Sequence, residues 1–145
     1  MKKQEKSQSL NFLYIDTSNP SETEVVVFDI NGGILAQICW SSQFNQTEEL
    51  LVKLDHLLSK SKVAKNSLGA IFANPGPGSY TGLRVGITTA NLIAFTLNKP
   101  IFSVKNKLAV LKIIKNFDNR MLFSGFVLPN YLRPPEITSK KPRLR

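Results

Sequence analysis

Thirteen residues between Asn74 and Gly86, with the sequence NPGPGSYTGLRVG, constrain the fold of this chain more than any other segment. They contain four glycines and two prolines, and they separate the apolar run 68–73 from a long stretch of apolar residues that begins at Leu83. Each glycine increases the conformational entropy that the chain loses on folding. Several glycines together therefore indicate a backbone conformation that residues with a Cβ atom adopt only with strain. The pattern predicts a strand joined to a helix by a tight structural turn built from Gly76, Gly78, Ser79, Thr81 and Gly82.

A phosphate cradle is the alternative role for such a loop. A P-loop requires a lysine and a Ser or Thr directly after its last glycine, whereas Leu83 and Arg84 follow Gly82. The GxGxxG pattern of dinucleotide-binding loops also fails, because Thr81 stands where the third glycine belongs. The residues therefore favour a structural turn, although the free N–H groups at a helix start could still hold an anion.

The order of predicted elements favours an α/β fold. Hydrophobic periodicity and turn residues predict strands at 11–16, 24–30, 34–40, 68–73 and 101–104, and helices at 47–59, 81–97 and 106–116. Asn31-Gly32-Gly33 predicts a hairpin turn, and Thr47 is the expected N-cap of the first helix. The second helix is expected to begin at a cap formed by Ser79 or Thr81 and to end at Asn98, before Pro100. The order β-β-β-α-β-α-β-α predicts a mixed sheet with helices on its faces. It matches the single ribonuclease-H-like lobe that is used by the actin, Hsp70 and sugar-kinase group. We expect a flexible arm at 1–10, this lobe at 11–117, and a basic, proline-containing tail at 118–145.

The predicted helix 81–97 is apolar on two sides. Gly82, Gly86, Ala90 and Ala94 recur every four residues and give one smooth side, which lets another backbone come close. Val85, Leu92 and Phe95 lie roughly opposite to Leu83, Ile87 and Ala94 at 100° per residue. The smooth side could pack on the protein's own sheet or first helix. The second apolar side indicates that a partner protein covers part of this helix.

The net charge of +9 lies entirely in the C-terminal third of the chain. Residues 98–145 hold eleven Lys and Arg against Asp118 and Glu136, whereas residues 1–97 are neutral. Such asymmetry is typical of a contact with nucleic acid or an acidic protein, and a solvated basic face with a loose tail is the alternative. The candidate nucleic-acid contacts are Lys112, Lys115, Lys140, Lys141, Arg143 and Arg145.

The chain lacks the sequence features of a membrane protein or an enzyme. No run of about 18 apolar residues indicates a membrane span, no signal peptide is visible, and a single cysteine makes a cytoplasmic location the default expectation. Cys39 is expected to be a buried strand thiol. His56 is the only histidine and has no partner at metal-ligand spacing, so neither a metal site nor a Ser-His-Asp or Cys-His catalytic set is predicted.

Several of these segments together resemble one family. The motif GPGSYTGLRVG, the residues IDTS at 15–18 and the helix Glu48–Leu58 are similar to those of the TsaB (YeaZ) family over about residues 11–106. The segment PNYLRPPEIT at 129–138 resembles the C-terminal ending of that family. Family members usually carry a second lobe after the strand that corresponds to 101–104, so the resemblance implies that most of this lobe is absent here. Asp16 stands where the superfamily places a nucleotide-site carboxylate, and capping of its own turn is the alternative.

The resemblance implies a function in transfer-RNA modification. TsaB is the non-catalytic dimerisation subunit of the complex that forms threonylcarbamoyladenosine at position 37 of transfer RNA. It pairs through the helices of its first lobe with TsaD, on which ATP and metal are expected, and the small ATPase TsaE joins them. No cofactor is therefore expected in this chain, and the same face could instead form a homodimer. The implied interface residues are Leu50, Leu54, Leu58, Tyr80, Gly82, Val85, Gly86, Thr89, Ala90 and Ile93.

Two other function classes stay open at this stage. One is a basic RNA-binding protein or a degenerate family member with no activity. The other is an ATP-binding or peptidase enzyme, for which the residues offer the least support.

Overall fold

A computed structural model describes residues 9–41 and 46–131, the side chains of Gln46 and Thr47 excepted. Five strands form one mixed sheet in the order β3-β2-β1-β4-β5. Its strands are β1 (Asn11–Asp16), β2 (Glu22–Asp29), β3 (Ile34–Ser41), β4 (Leu68–Ala73) and β5 (Ile101–Ser103). The helices are α1 (Gln46–Ser61), α2 (Tyr80–Leu97) and α3 (Lys107–Lys115), with one 3-10 turn at Lys65–Ser67. This order confirms the predicted α/β lobe with a mixed sheet.

The first three strands form an antiparallel meander, and β4 and β5 continue the sheet in parallel with β1. Asp29 closes the β2–β3 turn, because its carboxylate accepts hydrogen bonds from Asn31 N at 2.8 Å and Gly33 N at 2.9 Å. Gly32 adopts a φ of +81°, which favours glycine in a tight hairpin. The turn predicted at Asn31-Gly32-Gly33 is confirmed.

Helices cover both faces of the sheet, and this is why the central strands are buried on both sides. On one face, α1 and α2 pack through Leu54, Leu57 and Ala94 against β-strand residues such as Leu13 and Ile71. On the other face, the short helix α3 inserts Val110 and Ile114 among the aromatic residues Phe12, Tyr14, Phe28 and Phe72.

Helix ends follow the residues expected from the sequence. Asn98 ends α2 in the left-handed conformation, with φ 52° and ψ 47°, directly before Lys99 and Pro100. Asn106 caps α3, because its side chain accepts a hydrogen bond from Ala109 N at 2.9 Å. The expectation that Thr47 is the N-cap of α1 is wrong, because the helix already begins at Gln46.

Cys39 is exposed, so the expectation of a buried thiol is wrong. It lies on β3, an edge strand of the sheet, and alternate residues of that strand face solvent. The thiol contacts the Glu22 carboxylate, and this hydrogen bond is the main cause that raises the pKa of Cys39 to about 11. Sequence reasoning missed this because the strand pattern does not reveal which strand lies at the edge.

The segment 118–131 has no regular secondary structure, but it packs on the lobe and buries Val127 beside Leu83 and Ile87. Positions 1–8 of the predicted arm and 132–145 of the predicted tail lie outside the described residues. Leu10, at the end of that predicted arm, is half-buried against the aromatic cluster under α3. Within the described ranges, no helix is both long and apolar enough to cross a bilayer.

Candidate protein-interaction site

The glycine loop turns the chain from β4 into α2. Ser79 caps the helix, because its hydroxyl oxygen accepts a hydrogen bond from Gly82 N at 3.3 Å. Gly76 has a φ of +99° and precedes a cis peptide bond to Pro77. A Cβ atom at Gly78 would lie 2.6 Å from the carbonyl oxygen of Ser18. These contacts give the loop glycines a structural role. Thr81, which follows them, is exposed in the first turn of α2.

Asp16 and Asn74 join the strand ends below this loop. The Asp16 carboxylate accepts hydrogen bonds from Ser18 N, Ser18 Oγ, Tyr14 OH and Asn74 Nδ2, at 2.9, 2.6, 2.9 and 3.0 Å. A carboxylate offers about four acceptor positions, so these donors use its capacity. Burial, followed by the charge of Asp16, raises the pKa of Tyr14, which stays a protonated donor. Asp16 therefore acts here as a structural carboxylate that caps its own turn.

The small side of α2 packs on the protein's own sheet. A Cβ atom at Gly86 would lie 2.0 Å from Thr17 Oγ1, and Ala90 and Ala94 are fully buried. The leucine face of α1 is buried in the same core. Four candidate interface residues are therefore not available to a partner, because they are buried in this core: Leu50, Gly82, Gly86 and Ala90. Leu54 and Leu58 are also buried, at 4% exposure each, and reach the surface only in the groove between α1 and α2. This corrects the interface expected from the sequence.

The other candidate interface residues remain at the surface. Tyr80 is 42% exposed, and Val85, Thr89 and Ile93 are half-buried on the side of α2 that faces α1. The Thr89 hydroxyl donates a hydrogen bond of 2.8 Å to the Val85 carbonyl, so this hydrogen bond stays within α2. Ile93 lines the groove between α1 and α2, whereas Tyr80, Val85 and Thr89 lie together beside it.

The most exposed apolar residues of the surface formed by α1 and α2 were absent from the expected interface. Leu51, Val52 and Leu92 are 57%, 69% and 61% exposed on the outer sides of α1 and α2. A groove of about 240 Å³ lies between the two helices and is lined by Leu51, Leu54, Leu58, Leu92, Ile93 and Leu97, among others. The second apolar side of α2 was the signal for Leu92 in the sequence. In the sequence, Leu51 groups with the other leucines of α1 on one helical face, so its exposure was not expected, and no signal marked Val52.

Segment 118–131 contacts the flank of α2 that carries Phe95. The ring of Phe95 lies 5.5 Å from the ring of Phe123 and 6.2 Å from that of Phe126. Phe95 and Phe126 nevertheless remain 59% and 61% exposed. The chain itself therefore covers this flank only in part, and apolar surface stays open there as well as at Leu51, Val52 and Leu92.

Basic side chains are displayed on the opposite face of the molecule. Lys112 and Lys115 are exposed on α3, whereas Lys107 forms an ion pair of 2.7 Å with Glu24. The candidate contacts Lys140, Lys141, Arg143 and Arg145 lie outside the described residues. His56 is exposed on α1, and among the described residues no group of three His, Cys, Asp or Glu side chains could hold a metal ion.

Comparison with known proteins gives consistent family matches. Residues 23–124 match the family model TsaD, described as tRNA N6-adenosine threonylcarbamoyltransferase. The chain is 30% identical over 103 residues to the tRNA threonylcarbamoyladenosine biosynthesis protein TsaB of Haemophilus influenzae, covering 71% of this chain and 42% of that protein. It is 29% identical over 109 residues to TsaB of Bacillus subtilis, covering 75% and 47%.

Solved structures give the same result. YeaZ from Pseudomonas aeruginosa superposes with a TM-score of 0.61 at 27% identity, covering 67% of this chain and 44% of that structure. The chain thus spans less than half the length of these relatives, and the match lies in the lobe that carries the glycine loop and the two outer helices.

Proposed function

Because this chain belongs to the TsaB (YeaZ) family and matches the wider threonylcarbamoyltransferase family model over residues 23–124, we propose that it is a non-catalytic assembly subunit in the formation of threonylcarbamoyladenosine at position 37 of transfer RNA. Its proposed partner is a TsaD-like transferase, which would carry ATP and metal, with a TsaE-like ATPase as a third member. No cofactor is proposed for this chain. A complex with these partners would act in the cytoplasm.

The observation that carries this proposal is the open apolar surface on α1 and α2. Leu51, Val52 and Leu92 are more than half exposed, and Leu51 and Leu92 line an apolar groove. Exposed apolar surface with a concave centre is typical of a protein interface, because isolated domains rarely leave such area in water. A helix of the partner would fit the groove by placing one apolar side chain between the two helices.

A catalytic role has less support. The Asp16 carboxylate is fully used by Tyr14, Ser18 and Asn74, so it lacks a free oxygen for a metal ion or for the ribose of a nucleotide. The glycine loop carries no lysine for a phosphate group. These features favour an assembly role over an ATP-dependent or peptidase activity.

Affinity for the TsaD-like protein of the same organism tests the proposal. We expect the two purified chains to form a one-to-one complex by light scattering, and Leu92→Glu to weaken it at least tenfold because a charge would enter the apolar contact. Leu108→Glu on α3 is a matched control, since both leucines are 61% exposed. Absence of a complex with the unmodified chain would overturn the proposal.

Substitution of Gly86 does not serve this purpose, because a larger residue there would strike Thr17 and damage the fold. A homodimer is distinguished by the same measurement. If the chain alone is a dimer that Leu92→Glu dissociates, and the TsaD-like protein does not bind, then the surface serves a second copy.

Contact with transfer RNA is a second candidate role, favoured by Lys112 and Lys115 on the outer side of α3. Lysine side chains bind phosphate groups without reading sequence. This role is compatible with the first, because α3 and the apolar surface lie on opposite faces of the sheet.

A further inference from the structure

Asn91 holds the backbone of Val127 on the outer flank of α2. Its side-chain nitrogen donates to the Val127 carbonyl at 2.8 Å, and its side-chain oxygen accepts from Val127 N at 2.8 Å. One amide side chain thereby satisfies both backbone groups of one residue, in the way that a neighbouring strand does. Such pairing requires an extended peptide but no particular side chain at that position.

The glycine loop holds the same segment three residues later. Asn130 N donates to the Pro75 carbonyl at 2.7 Å, and Gly78 pairs with Tyr131 in a parallel bridge. A Cβ atom at Gly76 would lie 2.6 Å from the Asn130 carbonyl oxygen. The missing side chain at Gly76 is therefore what allows the segment to approach the loop.

Side chains add specificity to these backbone contacts. The ring of Tyr131 lies 4.7 Å from that of Tyr80, tilted by 36°. Val127 is only 8% exposed and packs with Leu83 and Ile87. The loop and the helix thus contact three positions of one segment: the side chain of Val127, the backbone of Asn130 and the ring of Tyr131.

We propose that the glycine loop, Tyr80 and Asn91 form a peptide-binding site whose ligand is the chain's own segment 127–131. Backbone hydrogen bonds supply the affinity of this site, and the contacts of Val127 and Tyr131 supply its selectivity. The site recognises this sequence as a ligand, so it binds the same residues when they are supplied as a separate peptide. This role for the loop does not depend on a TsaD-like partner.

Segment 127–131 covers only part of α2. With the segment bound, the Asn91 side chain is engaged by the Val127 backbone, whereas Leu92 stays exposed beside the groove.

Binding of a synthetic peptide to the full chain tests the proposal. Val127→Asp in the full chain places a charge in the small apolar cluster and releases the internal segment while the site stays intact. We expect a fluorescein-labelled peptide of residues 121–131 to bind this variant saturably in fluorescence anisotropy. Adding Asn91→Leu should weaken the binding at least tenfold, whereas adding Thr88→Ala, at an exposed position on the same helix, should leave it unchanged. No binding to the Val127→Asp chain, or equal binding when Asn91→Leu is added, would overturn the proposal.

Amide hydrogen exchange on the unmodified chain gives a second test that needs no folded Val127→Asp variant. We expect the Val127 and Asn130 amides to exchange slowly, since both donate hydrogen bonds within the site. In Asn91→Leu, both amides should exchange at least tenfold faster, whereas those of Leu13 and Ile71 in the sheet should not change. Unchanged exchange at Asn130 in this variant would show that loop and helix do not act as one site, which would also overturn the proposal.

Discussion

The side-chain amide of Asn74 donates a hydrogen bond of 3.0 Å to the Asp16 carboxylate, and this contact joins the end of β1 to the loop after β4. The same amide donates to the carbonyl of Lys105 at 3.1 Å, beyond the end of β5. Three parallel strands are thereby tied together at the edge where folds of this type place their ligands. The carboxylate at that edge serves the structure itself.

Replacement of Asp16 should therefore destabilise the fold. We expect Asp16→Ala to lower the free energy of unfolding by about 2–3 kcal/mol, because the buried Tyr14 hydroxyl loses its acceptor. Urea denaturation followed by circular dichroism measures this change. Asp55→Ala is the control, since its ion pair with Lys65 is two-thirds exposed on both sides and contributes less than about 0.5 kcal/mol. Equal losses for both variants would contradict the structural role of Asp16.

ATP should not bind to the chain alone. The Asp16 oxygens are already used, and the loop lacks a phosphate-binding lysine. Isothermal titration with Mg²⁺ and ATP should give no heat of binding at ATP concentrations up to about 1 mM, the upper end of ordinary substrate affinities. If ATP does bind to the chain, and Asp16→Asn abolishes this binding, then a nucleotide site exists at this edge of the sheet and the prediction is wrong.

Gly86→Ala should destabilise the protein, although helix propensity alone predicts the opposite. Alanine is favoured over glycine within a helix by about 1 kcal/mol. The new Cβ atom would lie 2.0 Å from Thr17 Oγ1, however, and overpacking of this kind costs about 1–3 kcal/mol or more. Because the contact with Thr17 would be very short, we expect the cost to exceed the gain, with a net loss of up to about 2 kcal/mol in thermal or urea unfolding. Thr88→Ala, an exposed change on the same helix, should stay within about 0.5 kcal/mol, and a stabilised Gly86→Ala protein would show that the contact with Thr17 is not tight.

Charge reversal on α3 tests the contact with transfer RNA. We expect Lys112→Glu with Lys115→Glu to weaken the binding of an unmodified transfer-RNA transcript and to reduce the salt dependence of log K by roughly 1–2. Lys60→Glu, an exposed change on α1, is the control. If the doubly changed protein keeps the original salt dependence, α3 is not the contact. A chain that ends at residue 138 then tests the remaining candidates, Lys140, Lys141, Arg143 and Arg145.

Cys39 should react slowly despite its exposure. The Glu22 carboxylate raises the pKa of its thiol to about 11, so little of the reactive thiolate is present at pH 8. We expect Glu22→Gln to lower this pKa and to increase the rate of iodoacetamide alkylation at pH 8 about tenfold or more, since each pKa unit changes the thiolate fraction tenfold. Glu24→Gln, which removes a weaker influence on the same thiol, should have a smaller effect. Equal rates for Glu22→Gln and the unmodified chain would contradict the hydrogen bond.

Local sequence signals predicted the elements and their ends. Ser79 and Asn98 bound α2 as expected, because capping depends on the backbone within one turn of the helix. The β2–β3 hairpin follows from Asn31-Gly32-Gly33 for the same reason. The helical periodicity of the sequence also predicted the exposed apolar side of α2, because it places Leu92 and Phe95 opposite to Leu83.

The candidate site was only partly visible in the sequence. A helical period reveals that two sides of α2 are apolar, but it does not reveal what lies against each of them. The smooth side with Gly86 proved to face Thr17, and the interface expected there belongs to the core. Leu51 and Val52 are at the surface because the leucine face of α1 is used by the sheet.

By itself, the sequence determined the order of strands and helices, the caps, and the need for glycine between β4 and α2, because these depend on residues a few positions apart. Only the tertiary structure decided that Cys39 lies on an edge strand, that Asp16 is occupied by Asn74, and that Asn91 binds Val127 thirty-six positions later. Those outcomes depend on which distant segments become neighbours, and local periodicity carries no information about that choice.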